Sequence, residues 1–181
     1  MKTEVVIGDL RTHAVEAAIR TVSSQLEPIT PLSREMGLAA GDRVLGQLQS
    51  QGEFPIGGAL ITPGGGSAAS YLIHIVIQSA DEPVTPYSVQ RALLNGLRRA
   101  AQLGITTLAL PPIGTGAGNL EAEASAAALA RALEEHAFAE ELPGHIQVVV
   151  TSEYERAAYA AGLEQAGLLG REEEPAREVD G

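Results

Sequence analysis

The sequence contains no cysteine and no tryptophan, and its only lysine is Lys2. Without cysteine there are no disulfides and no thiolate metal sites, which suits a reducing compartment. Aromatic residues make up 3% of the chain, so a core must be assembled from Ala, Leu, Val and Ile. No stretch reaches the ~18 uninterrupted apolar residues of a membrane-spanning helix. The opening MKTEVVIGDLRTH has no basic start followed by a long apolar core, so no leader is expected, no membrane partner, and a cytoplasmic location. The four histidines, at 13, 74, 136 and 145, show no metal-ligand spacing. No glycine-x-serine-x-glycine elbow occurs, which argues against an α/β-hydrolase. Basic residues are outnumbered 12 to 23 by acidic ones, for a net charge of −11. Such a surface repels phosphate backbones, so nucleic acid is not an expected partner. Backbone N–H groups can still hold one small anion.

The 181 residues suit one domain, expected over 1–170, with a charged tail at 171–181, REEEPAREVDG, that lacks an apolar stripe and is expected to be mobile. Strands are predicted at 3–7, 16–22, 58–62, 71–78, 105–110 and 146–151. Thr30-Pro31 and Thr85-Pro86 each place a hydroxyl cap before a proline at the first helical position. The first of these helices is expected to run to about Gln49 with breaks at Gly37 and Gly41. The second carries Val89, Leu93, Leu97 and Ala100 on one face. An Ala-rich helix follows over about 120–141. Ser152-Glu153-Tyr154-Glu155 reads as a capping box opening a last helix that ends near Leu169. The link between 58–62 and 71–78 is too short for a helical crossover, so these two strands are expected to pair antiparallel. The alternation elsewhere predicts an α/β sandwich with a largely parallel sheet, whose ligands sit beyond the carboxyl ends of the strands. Three loops lie at such ends: Gly8-Asp9-Leu10, the region after Val22, and Pro111–Asn119.

The loop in LPPIGTGAGNLEAEA, residues 110–124, joins a strand to a helix through Gly114, Gly116 and Gly118 without a lysine or arginine. Glycine lets backbone amides approach a ligand closely, and the helix start behind it adds partial positive charge. Together they form an anion site that needs no cationic side chain; a tight structural turn is the alternative. Neither a Walker loop nor a dinucleotide fingerprint matches. Asp9 is placed either to accept a hydrogen bond from a nucleobase amino group or ribose hydroxyl, or to cap a turn. His74, inside YLIHIVIQ, reads as a hydrogen-bonded core histidine.

Four segments, VVIGDL, YLIHIVIQ, ITTLALPPIGTGAGNL and IQVVVTSEYERAAY, resemble in order and spacing the macro domain, the family that binds ADP-ribose. The resemblance runs over residues 3–169. It implies a three-layer α/β sandwich with a mixed six-stranded sheet between helices. It implies that Asp9 contacts the adenine amino group with Leu10 beside it, and that the amides of Gly114, Thr115, Gly116, Ala117 and Gly118 face the diphosphate. Gly118 stands where an aromatic often packs on the distal ribose. The family's asparagine-alanine-alanine-asparagine falls on Arg20-Thr21-Val22-Ser23, which makes Ser23 a ligand-binding position with a shorter side chain. The family's glycine run is replaced by EPITPLSREMG, whose Pro28 and Pro31 supply no N–H.

The resemblance therefore implies a binding module for ADP-ribose or a related adenine nucleotide derivative, with weak or no hydrolase activity. No catalytic residue, metal or cofactor is assigned. The expected partner is an ADP-ribose-type small molecule or an ADP-ribosylated protein. Two alternatives stand beside it: an ADP-ribosyl hydrolase or deacylase, and a scaffold whose cleft is filled by Ile29 or Leu32 of the first loop. No interface signature separates monomer from dimer.

Overall fold

The computed structural model describes residues 1–116 and 119–170. The predicted tail at 171–181, and Ala117 and Gly118 of the glycine loop, lie outside the described residues. Six strands form one sheet: β1 (Lys2–Ile7), β2 (Ala17–Ser23), β3 (Ala59–Pro63), β4 (Tyr71–Gln78), β5 (Thr107–Leu110) and β6 (His145–Val150). Their order is β1-β6-β5-β2-β4-β3. All neighbours run parallel except β3, which lies antiparallel on β4 with Ile61 opposite Ile73. The mixed sheet and the antiparallel hairpin agree with the sequence expectation.

Helices α1 (Pro31–Ala40) and α2 (Asp42–Gln49) cover one face; α3 (Pro86–Gln102), α4 (Ala122–Ala139) and α5 (Glu153–Gln165) cover the other. Alternate strand residues divide between the two. Ile19, Ile73, Ile75, Leu108 and Val148 pack with Val89, Leu93, Leu97, Leu129 and Leu133 of α3 and α4. Ala18, Leu72, Ala109 and Val149 face Met36, Ala40 and Val44 of α1 and α2. The predicted stripe of α3 is buried at all four positions, and each such Leu or Val contributes about 1.5–3 kcal/mol through burial.

Helix ends follow their caps, with three departures from the sequence reading. Gly37 does not break α1; it lies inside the helix against the buried Arg20, while Gly41, at φ 99°, makes the break. At α5 the Ser152 hydroxyl accepts from the Glu155 amide (3.2 Å), but Glu155 Oε1 accepts from the Thr151 amide (3.1 Å) rather than from Ser152 N. The reciprocal half of the box has thus moved one residue outward. Finally, α5 stops at Gln165 because Gly167, at φ 70°, turns the chain away. Leu169 then pairs beside Thr3, with the Gly170 amide donating to Thr3 O (2.9 Å), so this segment extends the sheet edge instead of continuing the helix.

Candidate functional site

The chain leaves β2 towards β3 and β4 on one side of the sheet order, and leaves β5 towards β6 on the other. The crevice between β2 and β5 is therefore the topological switch point, the usual ligand position in such sheets. A cleft of about 590 Å³ opens there at the carboxyl ends of the strands. Its walls come from Gly8–Arg11 after β1, Thr21 in β2, Thr30, Leu32 and Glu35 around the start of α1, Pro111, Pro112, Thr115 and Gly116 after β5, and Val149, Thr151 and Glu155 around the β6–α5 junction. A hollow of about 670 Å³ runs along the β3 edge. It lies far from the switch point, takes no residue from the glycine loop, and has Arg99 as its one charged lining residue. The smaller cleft is the candidate site.

The glycine loop is held from beneath. The Ile113 amide donates to the Tyr159 hydroxyl (3.3 Å), Ser125 Oγ donates to Ile113 O (2.5 Å), and the Ser125 and Tyr159 hydroxyls bond each other. Helices α4 and α5 thereby fix both backbone groups of the residue that enters the loop. Gly114 sits at φ 81°, where an added Cβ would lie 3.0 Å from Leu120 and Val84, so geometry and space both demand glycine. Loop carbonyls turn towards α4: Gly114 O accepts from Leu120 N (2.9 Å) and Gly116 O from Asn119 N (3.3 Å). The amides of Thr115 and Gly116 meet no acceptor among the described residues, and both residues line the cleft. Backbone donors left over beside a helix start are what an anion requires. An added Cβ on Gly116 would stand 3.4 Å from Thr30 Cγ2, in van der Waals contact, so the loop borders the start of α1 there.

At the other end lies Asp9. Its side chain caps the short turn at Leu10–Thr12 by accepting from the Arg11 amide (3.0 Å), and it also grips the Arg11 guanidinium through Nε and Nη2 (2.7–3.1 Å). These bonds hold the carboxyl below the usual aspartate range and push Arg11 upward. Arg11 Nη1 reaches Glu35 Oε2 on α1 at 2.8 Å. Asp9 thus caps the turn, as one of its two sequence readings expected, and it also lines the cleft. Leu10 is buried and packs with Val149, forming an apolar floor.

The segment predicted as a first ligand loop is divided. Thr21 reaches the cleft. Ser23 is not among the residues that line it: β2 bulges after Val22, and Ser23 closes a turn in which Leu26 N donates to its carbonyl (2.8 Å) and its own amide donates to Glu27 O (2.9 Å). Leu26, at φ 63°, buries its side chain with Val22, Leu48 and Val76, and this packing keeps the turn away from the cleft. Ile29 packs into the α3–α4 core, and Leu32 packs beside Leu10 and Met36 as a wall. Neither fills the cleft, so the occluded arrangement is not what the structure shows.

Arg20 is 1% exposed. Its Nε donates to Ser33 O (3.0 Å) and its Nη1 to His74 Nδ1 (3.1 Å), while His74 Nε2 donates to Thr62 Oγ1 (2.8 Å). Burial lowers Arg20 to about 10, and burial with the neighbouring guanidinium lowers His74 to about 3. His74 is therefore a neutral core histidine, as its place in an apolar strand suggested. The network ties β2, β4 and β3 to the first turn of α1, where Thr30 caps by accepting from Ser33 N (3.0 Å).

Comparison with known proteins places this geometry. The Macro domain model matches residues 30–129, more than half of the chain. The chain belongs to the macro domain family. Among its relatives is the O-acetyl-ADP-ribose deacetylase of Enterobacter sp. (strain 638), 32% identical over 171 residues that cover 91% of this chain and 95% of that protein. The Escherichia coli (strain K12) protein of the same name is 30% identical over 175 residues, covering 92% and 99%. An Oceanobacillus iheyensis macrodomain solved with ADPR superposes with a TM-score of 0.78 at 20% identity, covering 89% of this chain and 91% of that one. A Trypanosoma brucei macrodomain in complex with ADP gives 0.75 at 15% identity, covering 90% and 69%. The three-layer macro fold is thus common to chains of very different sequence. Within it, cleft residues that sequence reasoning missed are Arg11, Thr21, Thr30, Glu35, Val149, Thr151 and Glu155. Arg11 carried the clearest signal, standing two residues after Asp9. Thr30 and Glu35 lie in EPITPLSREMG, the segment in place of the family's glycine run, but only the packing of α1 brings their side chains to the cleft. No helix among the described residues is long and apolar enough to cross a membrane.

Proposed function

We propose that this macro domain is a binding module for ADP-ribose or a related adenine nucleotide derivative, free or attached to a protein. The observation that carries the proposal is the cleft-lining pair of amides at Thr115 and Gly116, unbonded among the described residues, opposite the capped start of α1. In this reading the diphosphate lies over the Thr115 and Gly116 amides beside Thr30, and the base lies over Leu10 and Val149 near Asp9.

Binding is favoured over hydrolysis by the state of the cleft carboxylates. Asp9 and Glu35 both hold Arg11, and Glu155 accepts from the Thr151 amide and hydroxyl. All three carboxylates are thus engaged with neighbouring donors, and no histidine is among the described residues that line the cleft. A second reading, opening of an O-acyl ester of ADP-ribose, is supported by the relatives named O-acetyl-ADP-ribose deacetylase; in it Thr21 and the cleft threonines replace asparagine in holding the ribose.

Calorimetric titration with ADP-ribose tests the proposal against Gly116→Val. The isopropyl group, added at an exposed position beside Thr30 and the two loop amides, crowds the anion position, so the variant should keep its melting temperature and lose affinity about tenfold. Unchanged affinity, or no heat from the wild type at millimolar ligand, would refute it. Release of acetate from O-acetyl-ADP-ribose that is abolished in the same variant would establish the second reading instead.

A further inference from the structure

Under the binding proposal, on which this inference rests, Asp9 is the acceptor for a nucleobase amino group. A carboxylate offers about four lone-pair positions. Arg11 crowds them with three N–H groups: its amide donates to Oδ1 (3.0 Å), its Nε is shared between Oδ1 (2.9 Å) and Oδ2 (3.1 Å), and its Nη2 donates to Oδ2 (2.7 Å). A base arriving with an amino edge must compete with these donors for Asp9. The same guanidinium touches a second carboxylate, with Nη1 2.8 Å from Glu35 Oε2 on α1. Each Nη nitrogen carries two N–H bonds and uses one on these carboxylates, so one donor per nitrogen is left over. All three side chains line the cleft.

We propose that Arg11 sets the base selectivity of this cleft. An amino-edged base such as adenine binds Asp9 by displacing Arg11, and the guanidinium passes wholly to Glu35. A carbonyl-edged base such as hypoxanthine instead accepts a hydrogen bond from Arg11 where it stands. Displacement burdens the amino-edged base alone, so the wild-type protein discriminates between the two only weakly. The side chains are about half exposed, at 50% for Arg11 and 41% for Asp9; solvent screening keeps the effect to about fivefold or less.

The test is titration of the wild type, Arg11→Ala and Glu35→Gln with ADP-ribose and with its hypoxanthine counterpart, inosine diphosphate ribose. Arg11→Ala is expected to tighten ADP-ribose about twofold to fivefold without tightening the inosine compound, so the ratio of the two affinities rises. Glu35→Gln, which removes the guanidinium's second carboxylate, is expected to weaken ADP-ribose and leave the inosine compound nearly unchanged. A purely structural role for Arg11 would shift both ligands together. An affinity ratio in Arg11→Ala equal to that of the wild type, or ADP-ribose bound more weakly by that variant, overturns the inference while leaving the binding proposal standing. Absence of binding by both ligands to all three proteins overturns the binding proposal and the inference with it.

Discussion

Removing the Tyr159 hydroxyl tests whether the glycine loop is held by α4 and α5 or merely rests on them. Tyr159 is 1% exposed, and burial pushes its hydroxyl up to about 12, so it stays protonated at neutral pH. In Tyr159→Phe the Ile113 amide, also buried, loses its only described acceptor. A buried donor left unpaired costs about 1–3 kcal/mol. Ser125→Ala strands the Ile113 carbonyl in the same way, at a similar cost of about 1–3 kcal/mol. Because the two hydroxyls also bond each other, the double variant should lose less than the sum, with a coupling of about 0.5–1 kcal/mol. Urea denaturation of the four proteins gives the cycle, and melting temperatures should fall by about 2–4 °C per kcal/mol for a chain of this size. ADP-ribose affinity should fall in each variant although no cleft side chain has changed. A Tyr159→Phe protein as stable as the wild type would show that its hydroxyl does not secure Ile113, and additive losses would show that the two hydroxyls act independently.

Two other predictions concern the core beneath the cleft. His74 is depressed to about 3 from its ordinary 6.5, so between those values the unfolded chain binds the extra proton. Stability is then fully present above pH 6.5 and lost as pH falls, on the order of 1 kcal/mol per pH unit. Denaturation measured between pH 6.5 and 5, above the carboxylate range, should show this slope in the wild type and a flatter profile in His74→Gln; equal slopes would refute it. Gly37→Ala should be destabilising by about 1 kcal/mol even though alanine normally improves a helix interior, because the new Cβ would lie 3.0 Å from Arg20 Nη2 in a packed interior. A more stable Gly37→Ala protein would mean that the guanidinium shifts freely.

Much of the architecture was legible because its signals are local. Thr30-Pro31 and Thr85-Pro86 announce helix starts through a hydroxyl and a fixed φ, and both caps are made. The stripe from Val89 to Ala100 and the apolar run of β4 announce burial on one face and on two. The glycine loop was legible for the same reason: a strand, three glycines and a helix start form a unit whose geometry depends on near neighbours. What misled the sequence reading depends on distant partners. Ser23 leaves the cleft because Leu26 finds a hydrophobic slot under α2, and Gly37 stays helical because it makes room for the guanidinium of Arg20, which belongs to a different layer.

The sequence by itself determined the elements, the mixed sheet and the presence of a glycine loop between β5 and α4, since periodicity, capping and glycine conformation act over a few residues. The tertiary structure alone decided which side chains stand around that loop. It set Arg11 between Asp9 and Glu35, turned Ser23 away, and braced Ile113 with hydroxyls from two helices. Those outcomes depend on how layers far apart in sequence pack against each other, and no local pattern encodes the distance between Arg11 and a carboxylate on α1.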